Sequence, residues 1–227
     1  MAAQGDFEAM ERAWTRAVEL APENAAAWSN RGTARLQAGR WRDAYDDLSY
    51  ALQLETRAFG GDNVADGVSA LLLNQLANSE GALGRWEDAM QHYRMAAEDP
   101  EMESIAAANY ALAAFETGRQ QLAVREARQL LRRDPSFLDM RAALVAFLWA
   151  GGEPAAAEGE WEALQQANGG LGSALYGRAS AVARVRNRWP PRATAALGAF
   201  LLLSDRGSAE GYDGQRHEYV FEAARAG

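Results

Sequence analysis

The sequence contains no cysteine and no lysine; all 23 of its basic residues are arginine, and its only histidines are His92 and His217. Without cysteine there is no disulfide framework and no thiolate metal site, and redox chemistry says nothing about the compartment. The missing lysine reads as a bias of codon usage or lineage. No apolar run approaches the ~20 residues that a membrane-spanning helix needs. The longest, 193–203, is about half that length. No signal or transit segment is visible. A formal net charge of −8 lacks the basic footprint of a general nucleic-acid binder. There is no Gly-x-Ser-x-Gly elbow and no phosphate-cradling Gly-x4-Gly-Lys loop. The adjacent acids Asp46-Asp47 and Glu98-Asp99 sit one residue apart, so on a helix they point in different directions and form no catalytic pair. No catalytic residue, cofactor site or metal site is expected.

What the chain does have is alanine and a period. Apolar residues make up 48 % of the sequence, much of it alanine, which suits closely packed helices rather than a sheet. Gly5, Gly39, Gly84, Gly118 and Gly152 follow one another at steps of 34, 45, 34 and 34 residues, the odd step being 34 plus an insertion of 11. Gly39-Arg40-Trp41-Arg42-Asp43-Ala44 matches Gly84-Arg85-Trp86-Glu87-Asp88-Ala89 almost letter for letter. Each glycine is expected in a short turn. Such a period marks stacked helix pairs, each burying its apolar face against its neighbours.

Trp28, Gly32, Gly39, Ala44, Leu48 and Ala51, with Gly84, Ala89, Tyr93, Ala96 and Gly118, Ala123, Pro135, resemble the tetratricopeptide (TPR) repeat. The resemblance covers 5–167 and implies an all-α, right-handed TPR-type solenoid. About five helix-pair repeats are expected, near 5–22, 25–56, 68–100, 103–135 and 137–167. The first keeps only its second helix, 6–20, which points to a trimmed N-terminus or to a partner docked on the open flank. Gly32 and Ala44 are expected at a close helix crossing. The insertion, 57–67, is expected to lengthen a loop and add a turn to the helix that follows it. Beyond 167 the period is lost. The glycine-rich 168–172 reads as a linker and 173–188 as one helix. Trp189-Pro190-Pro191 breaks that helix, and a last helix over 192–203 completes a C-terminal cap at 168–203. The tail, 204–227, reads as extended or disordered by itself.

A second, more specific resemblance rests on five stretches. These are Asn109-Tyr110-Ala111-Leu112-Ala113, Asp139-Met140-Arg141-Ala142-Ala143-Leu144, Leu148-Trp149, Ala157-Glu158-x2-Trp161 and Arg188-Trp189-Pro190-Pro191. Together they are similar to a TPR family shared by cyanobacteria and plastids. That similarity implies a chloroplast, thylakoid-associated protein that assembles or stabilises photosystems. The alternative is a soluble cytoplasmic adaptor that binds a peptide.

In stacked helix pairs the first helix of each pair lines the binding face. By register, Ser29, Asn30, Thr33, Asn74, Asn78, Ala108, Asn109 and Leu112 face it. Two uses of the asparagines stay open. They can bond the backbone of an extended partner peptide, for which an uncharged amide has no charge to desolvate. Alternatively Asn30 and Asn109, at equivalent positions, bond the backbone of the neighbouring repeat. Some TPR domains grip a C-terminal carboxylate with lysine and arginine here; Asn, Ala and Leu in those places disfavour that use. His92 reads as a surface residue. Arg178, Arg184, Arg186, Arg188 and Arg192 gather around Trp189. They read either as a solvated cap face or as a dock for acidic protein loops or anionic headgroups, a peripheral membrane contact, anchored by Trp189. The expected function is therefore a non-enzymatic scaffold with a protein partner.

Overall fold

A computed structural model describes residues 2–59, 67–177, 180–186 and 188–203, and every regular element among them is helical. The tail 204–227, with His217, lies outside the described residues, as do Arg178 and positions 60–66 of the insertion. The chain divides into two units, Met1–Tyr110 and Ala111–Gly227.

The first unit holds α1 (Ala2–Leu20), α2 (Ala25–Gln37), α3 (Trp41–Phe59), α4 (Ala70–Ala82), α5 (Trp86–Ala96) and the beginning of α6 (Glu103–Glu116). Local chemistry sets most of these limits. The Asn24 and Ser69 side chains cap α2 and α4 by accepting the amides of Ala26 and Leu72. At the other end, Gly39 and Gly84 adopt φ of 76° and 77°, a left-handed conformation that costs a residue with a β-carbon roughly 1–2 kcal/mol. The residue after each glycine then donates to a carbonyl five positions back, Arg40 to Arg35 at 2.9 Å and Arg85 to Glu80 at 2.8 Å. This closes the helix with a Schellman-type pair. In the second unit Gly118 and Gly152 repeat the device, with Arg119 donating to Ala114 and Glu153 to Leu148. Gly5 does not. It lies inside α1, which begins a turn earlier than the register of the glycines implied.

The core of the first unit follows the helical period. Ala44, Leu48 and Ala51 of α3 pack with Leu72 and Leu76 of α4, flanked by Trp28 and Leu36. A β-carbon on Gly32 would lie 2.7 Å from the Leu48 side chain and 3.2 Å from the Ala44 carbonyl, so α2 and α3 meet as closely as expected. Gly81 similarly makes room for the Trp86 ring. Leu36 stands at the equivalent place one repeat earlier, and there the matching tryptophan, Trp41, stays 42 % exposed.

The insertion behaves differently from the expectation. The extra turn goes to the helix before it: α3 continues to Phe59, while α4 begins only at Ala70. Thr56 stands where many such repeats carry proline, so nothing removes a helical donor and α3 runs on. Glu55 of that extension accepts the Ser69 amide at 2.8 Å, tying α3 to the start of α4.

The second unit holds the rest of α6, then α7 (Gln120–Arg133), α8 (Leu138–Ala150) and α9 (Pro154–Gln166). After them come a 3-10 turn (Ala167–Gly170), α10 (Leu171–Leu175), α11 (Ala181–Val185) and α12 (Pro191–Leu203). Residues 173–188 are thus not one helix. Tyr176 leaves helical geometry (φ −119°, ψ 38°), its ring is wholly buried, and its hydroxyl donates to Asp139. Burying an aromatic ring is worth ~1.5–3 kcal/mol, more than the fraction of a kcal/mol by which residues differ in helix propensity. The 168–172 stretch is not an open linker either. Gly172 is buried so close against the Leu164 carbonyl that a β-carbon there would collide with it.

Candidate functional site: the first-helix face

Positions that recur on the first helix of each pair can be compared across the two units. In the first unit this face is open. Leu71 of α4 and Ile105 of α6 occupy the same place in successive repeats and are 54 % and 52 % exposed. Between these helices the Asn109 amide donates to the Asn74 side-chain oxygen at 3.1 Å, and Asn74 is buried. Asn109 therefore bonds the neighbouring repeat through a side chain rather than its backbone. Asn78 donates to Gln75 at 2.9 Å and accepts the Tyr93 hydroxyl at 2.8 Å. Thr33 is half-buried and donates to the Ser29 carbonyl of its own helix at 2.9 Å, while Asn30 is exposed. The amides are largely committed to holding helices, and the two aliphatic side chains are what the face presents.

Behind this face, charge holds the pairs in register. Asp47 is buried and accepts from Arg31 and Arg35 at 2.8 Å each. Its equivalent one repeat on is His92, and the equivalent of Arg35 is Glu80. These two meet at 2.8 Å with Glu80 buried, so the pair recurs with its polarity reversed and His92 is not simply a surface residue. Burial, and then the Glu80 carboxylate, push the neighbouring Tyr93 phenol well above its usual range. Glu11 of α1 pairs with Arg40 and Arg35, and the Arg40 hydrogen bond is the main reason its carboxyl sits below the usual value.

In the second unit the corresponding face is covered from within the chain. The places held by Ser29, Asn30 and Thr33, and by Asn74, Gln75 and Asn78, are occupied in α8 by Ala142, Ala143 and Ala146, all fully buried. Leu112 is 7 % exposed. Phe200 of α12 meets Trp149 of α8 edge-on and Trp161 of α9 at a tilt, each at a centroid distance of 5.5 Å. Arg192 lies over the Phe115 ring at 4.6 Å, donates to the Phe115 carbonyl at 2.8 Å, and gives its backbone amide to Glu116 at 2.9 Å. Burial raises the Glu116 carboxyl above its usual value. Asp139, the counterpart of Leu71 and Ile105, accepts from Tyr176 and Arg188, with Arg184 3.8 Å away.

The arginine cluster is accordingly split. Arg184 and Arg188 pair with Asp139 while staying exposed, Arg192 is half-buried against α6, Arg186 is exposed, and Trp189 is 8 % exposed. A capping helix over 192–203 was expected, but not that it would lie on α8. Its signal was the alanine run at 142, 143 and 146, where α2 and α4 place polar side chains and α6 keeps only Asn109. Among the described residues there is no cluster of three or more potential metal ligands, and no helix is long and apolar enough to cross a membrane.

Comparison with known proteins agrees with this architecture. No protein-family model matches the chain. A TPR repeat-containing protein of Rhizobium etli is 32 % identical over 77 residues, 34 % of this chain and 36 % of that protein. The match therefore spans about a third of that relative. Crystal structures of MamA superpose with TM-scores of 0.60 and 0.61 at 17 % and 15 % identity. They cover 71 % and 77 % of this chain and 88 % and 87 % of theirs. TPR-like repeats of a Podosopora anserina putative kinesin light chain superpose at 0.55 with 16 % identity, over 90 % of this chain and 94 % of that one. The fold is the TPR-type, all-helical solenoid fold.

Proposed function

We propose that this TPR-type repeat protein is a non-enzymatic scaffold that holds another polypeptide on the first-helix face of its N-terminal unit. The observation that carries the reading is the pair Leu71 and Ile105. Two large aliphatic side chains exposed at one repeat-equivalent position, on helices braced by the Asn74–Asn109 bond, are anchor points with fixed spacing. Binding energy concentrates in such anchors. The ligand is a segment with two apolar side chains spaced to meet them. A photo-crosslinking residue placed at 71 or 105 should give a discrete adduct in an extract of the native organism. The same residue at exposed Gln91 should not, and equal labelling from all three positions would refute the assignment.

The finer reading is that of a peripheral subunit or assembly factor of a thylakoid photosystem complex in the chloroplast. It is supported by the resemblance of the 139–161 motifs and the Arg188-Trp189-Pro190-Pro191 element to the cyanobacterial and plastid family. The relative in Rhizobium etli and the MamA structures speak for the repeat and not for that location. The competing assignment is a soluble cytoplasmic adaptor. Fractionation separates the two: co-sedimentation with thylakoids, lost on a salt wash, fits the first, and recovery in the soluble fraction fits the second.

A further inference from the structure

The open face of the first unit also has a sign. We propose that its ligand is a cationic segment, in which arginine or lysine flanks the two apolar side chains that meet Leu71 and Ile105. This rests on the reading above, in which that pair is where a polypeptide docks, and adds the charge of what docks there.

Positive charge is missing from this face. No basic residue occurs between Arg57 and Arg85 or between Arg94 and Arg119, so α4, α6 and the approaches to them carry none. The arginines of the other first helix in this unit, Arg31 and Arg35 of α2, are committed to Asp47 and Glu11. Negative charge, by contrast, is left over. Glu98 and Glu101 are exposed just ahead of α6, Glu101 four positions before Ile105, and neither side chain has a partner among the described residues. Asp99 is fixed beside them, accepting the amides of Glu101 and Met102 at 2.8 and 3.2 Å. The whole unit shares the sign: residues 1–110 hold 18 acidic side chains and nine arginines, whereas 111–227 hold 13 and 14.

The surplus acids are not there to build the turn. An acid ahead of a helix complements the partial positive charge of its N-terminus, and Asp99 bonds two amides there. Yet 34 positions on, the places of Glu98 and Asp99 are held by Arg132 and Arg133, and the chain still turns into α8. Asp134 takes over the bond to the backbone, accepting the Ser136 amide at 2.9 Å. A turn indifferent to sign leaves its exposed charges to select a partner. The two aliphatic anchors supply contact, and a rim of unpaired acid attracts a cationic segment and repels an anionic one. Spacing follows from the stack. Packed helices lie ~8–10 Å apart. The anchors therefore meet side chains three apart on a polyproline-like segment, at ~3.1 Å per residue, or seven apart on a helix, at ~1.5 Å per residue.

The experiment uses the full chain and labelled synthetic peptides whose two leucines stand three or seven positions apart, flanked either by arginines or by glutamates. An arginine–leucine peptide of one of these spacings should bind with micromolar affinity, and its glutamate counterpart at least about tenfold more weakly. Raising the salt from ~0.1 to ~1 M, which cuts the screening length from ~10 to ~3 Å, should weaken the arginine peptide. A chain carrying Glu98→Arg and Glu101→Arg should reverse the preference and take the glutamate peptide better. Equal binding of the two kinds of peptide overturns the proposal, as does binding of neither, or an unreversed preference in the doubly substituted chain. Leu71→Ser with Ile105→Ser keeps the two readings apart. If arginine and glutamate peptides bind alike and both are lost in that chain, the docking face stands and only its charge preference falls. If the arginine peptide binds that chain undiminished, the docking face itself falls.

Discussion

The two units solve one packing problem in opposite ways. Each stacks helical hairpins whose first helices carry a row of equivalent positions. In the first unit that row is polar and aliphatic: Ser29, Thr33, Asn74 and Asn78, with Leu71 and Ile105 exposed beside them. In the second it is alanine, and α12 lies on it. Polar side chains on a helix can stay at a surface. Alanines at the same places give up no hydrogen bond on burial and let another helix come close. Small changes at three positions per helix thus separate a face kept open from one filled by the protein itself.

Four substitutions break or sharpen that comparison. The largest effect is expected at Phe200→Ala. The ring is fully buried between Trp149 and Trp161, and truncating such a side chain costs ~3–5 kcal/mol. The loss should appear in amide exchange of α8 and leave α4 unchanged. If α4 loosened equally, the units would not be energetically separate. The mirror experiment is Asp47→Ala in the first unit. Removing the buried acceptor takes the carboxylate from Arg31 and leaves Arg35 with Glu11 alone; losing one member of a buried pair costs ~3 kcal/mol. The guanidiniums keep some contact with solvent, so the loss should fall at or below that figure, read from α2 and α3 exchange.

The smallest effect is one of sign. The Glu11 carboxyl is held below its usual value, so the stability it contributes is present above the unfolded value of 4.5 and lost as pH falls through its folded one. Glu116 is shifted upward, so its share is present below 4.5 and lost as pH rises through its folded value. Glu11→Gln should therefore lower the melting temperature at neutral pH, with the difference shrinking in acid. Glu116→Gln should raise it at neutral pH, and that gain should shrink in acid. Matching signs for the two variants would contradict the assigned environments.

Much of the fold was legible because it is periodic. Gly39, Gly84, Gly118 and Gly152 announce their turns, since only glycine takes a positive φ there cheaply, and Gly32 and Ala44 announce a close crossing. The breaks in period were less legible. At Thr56 the missing proline was visible, but not which helix would grow. At Tyr176 the sequence reads as helix, and only the chance to bury a ring and reach Asp139 bends it. The candidate site was legible in part. Register places Asn74, Asn78 and Asn109 together, but their pairing with each other and with Tyr93 leaves Leu71 and Ile105 as the groups on offer. The Glu80–His92 pair stayed hidden because the acid moves from the second helix of the pair to the first, which erases the likeness to Arg35–Asp47.

By itself the sequence determined the helical hairpins, their turns and their register. These depend on contacts between residues a turn or a repeat apart, which a 34-residue period displays. Only the tertiary structure decided which faces stay open. That depends on where a segment outside the period, α12, comes to rest, and burial of its apolar side chains against α8 settles this without leaving any regular spacing to read.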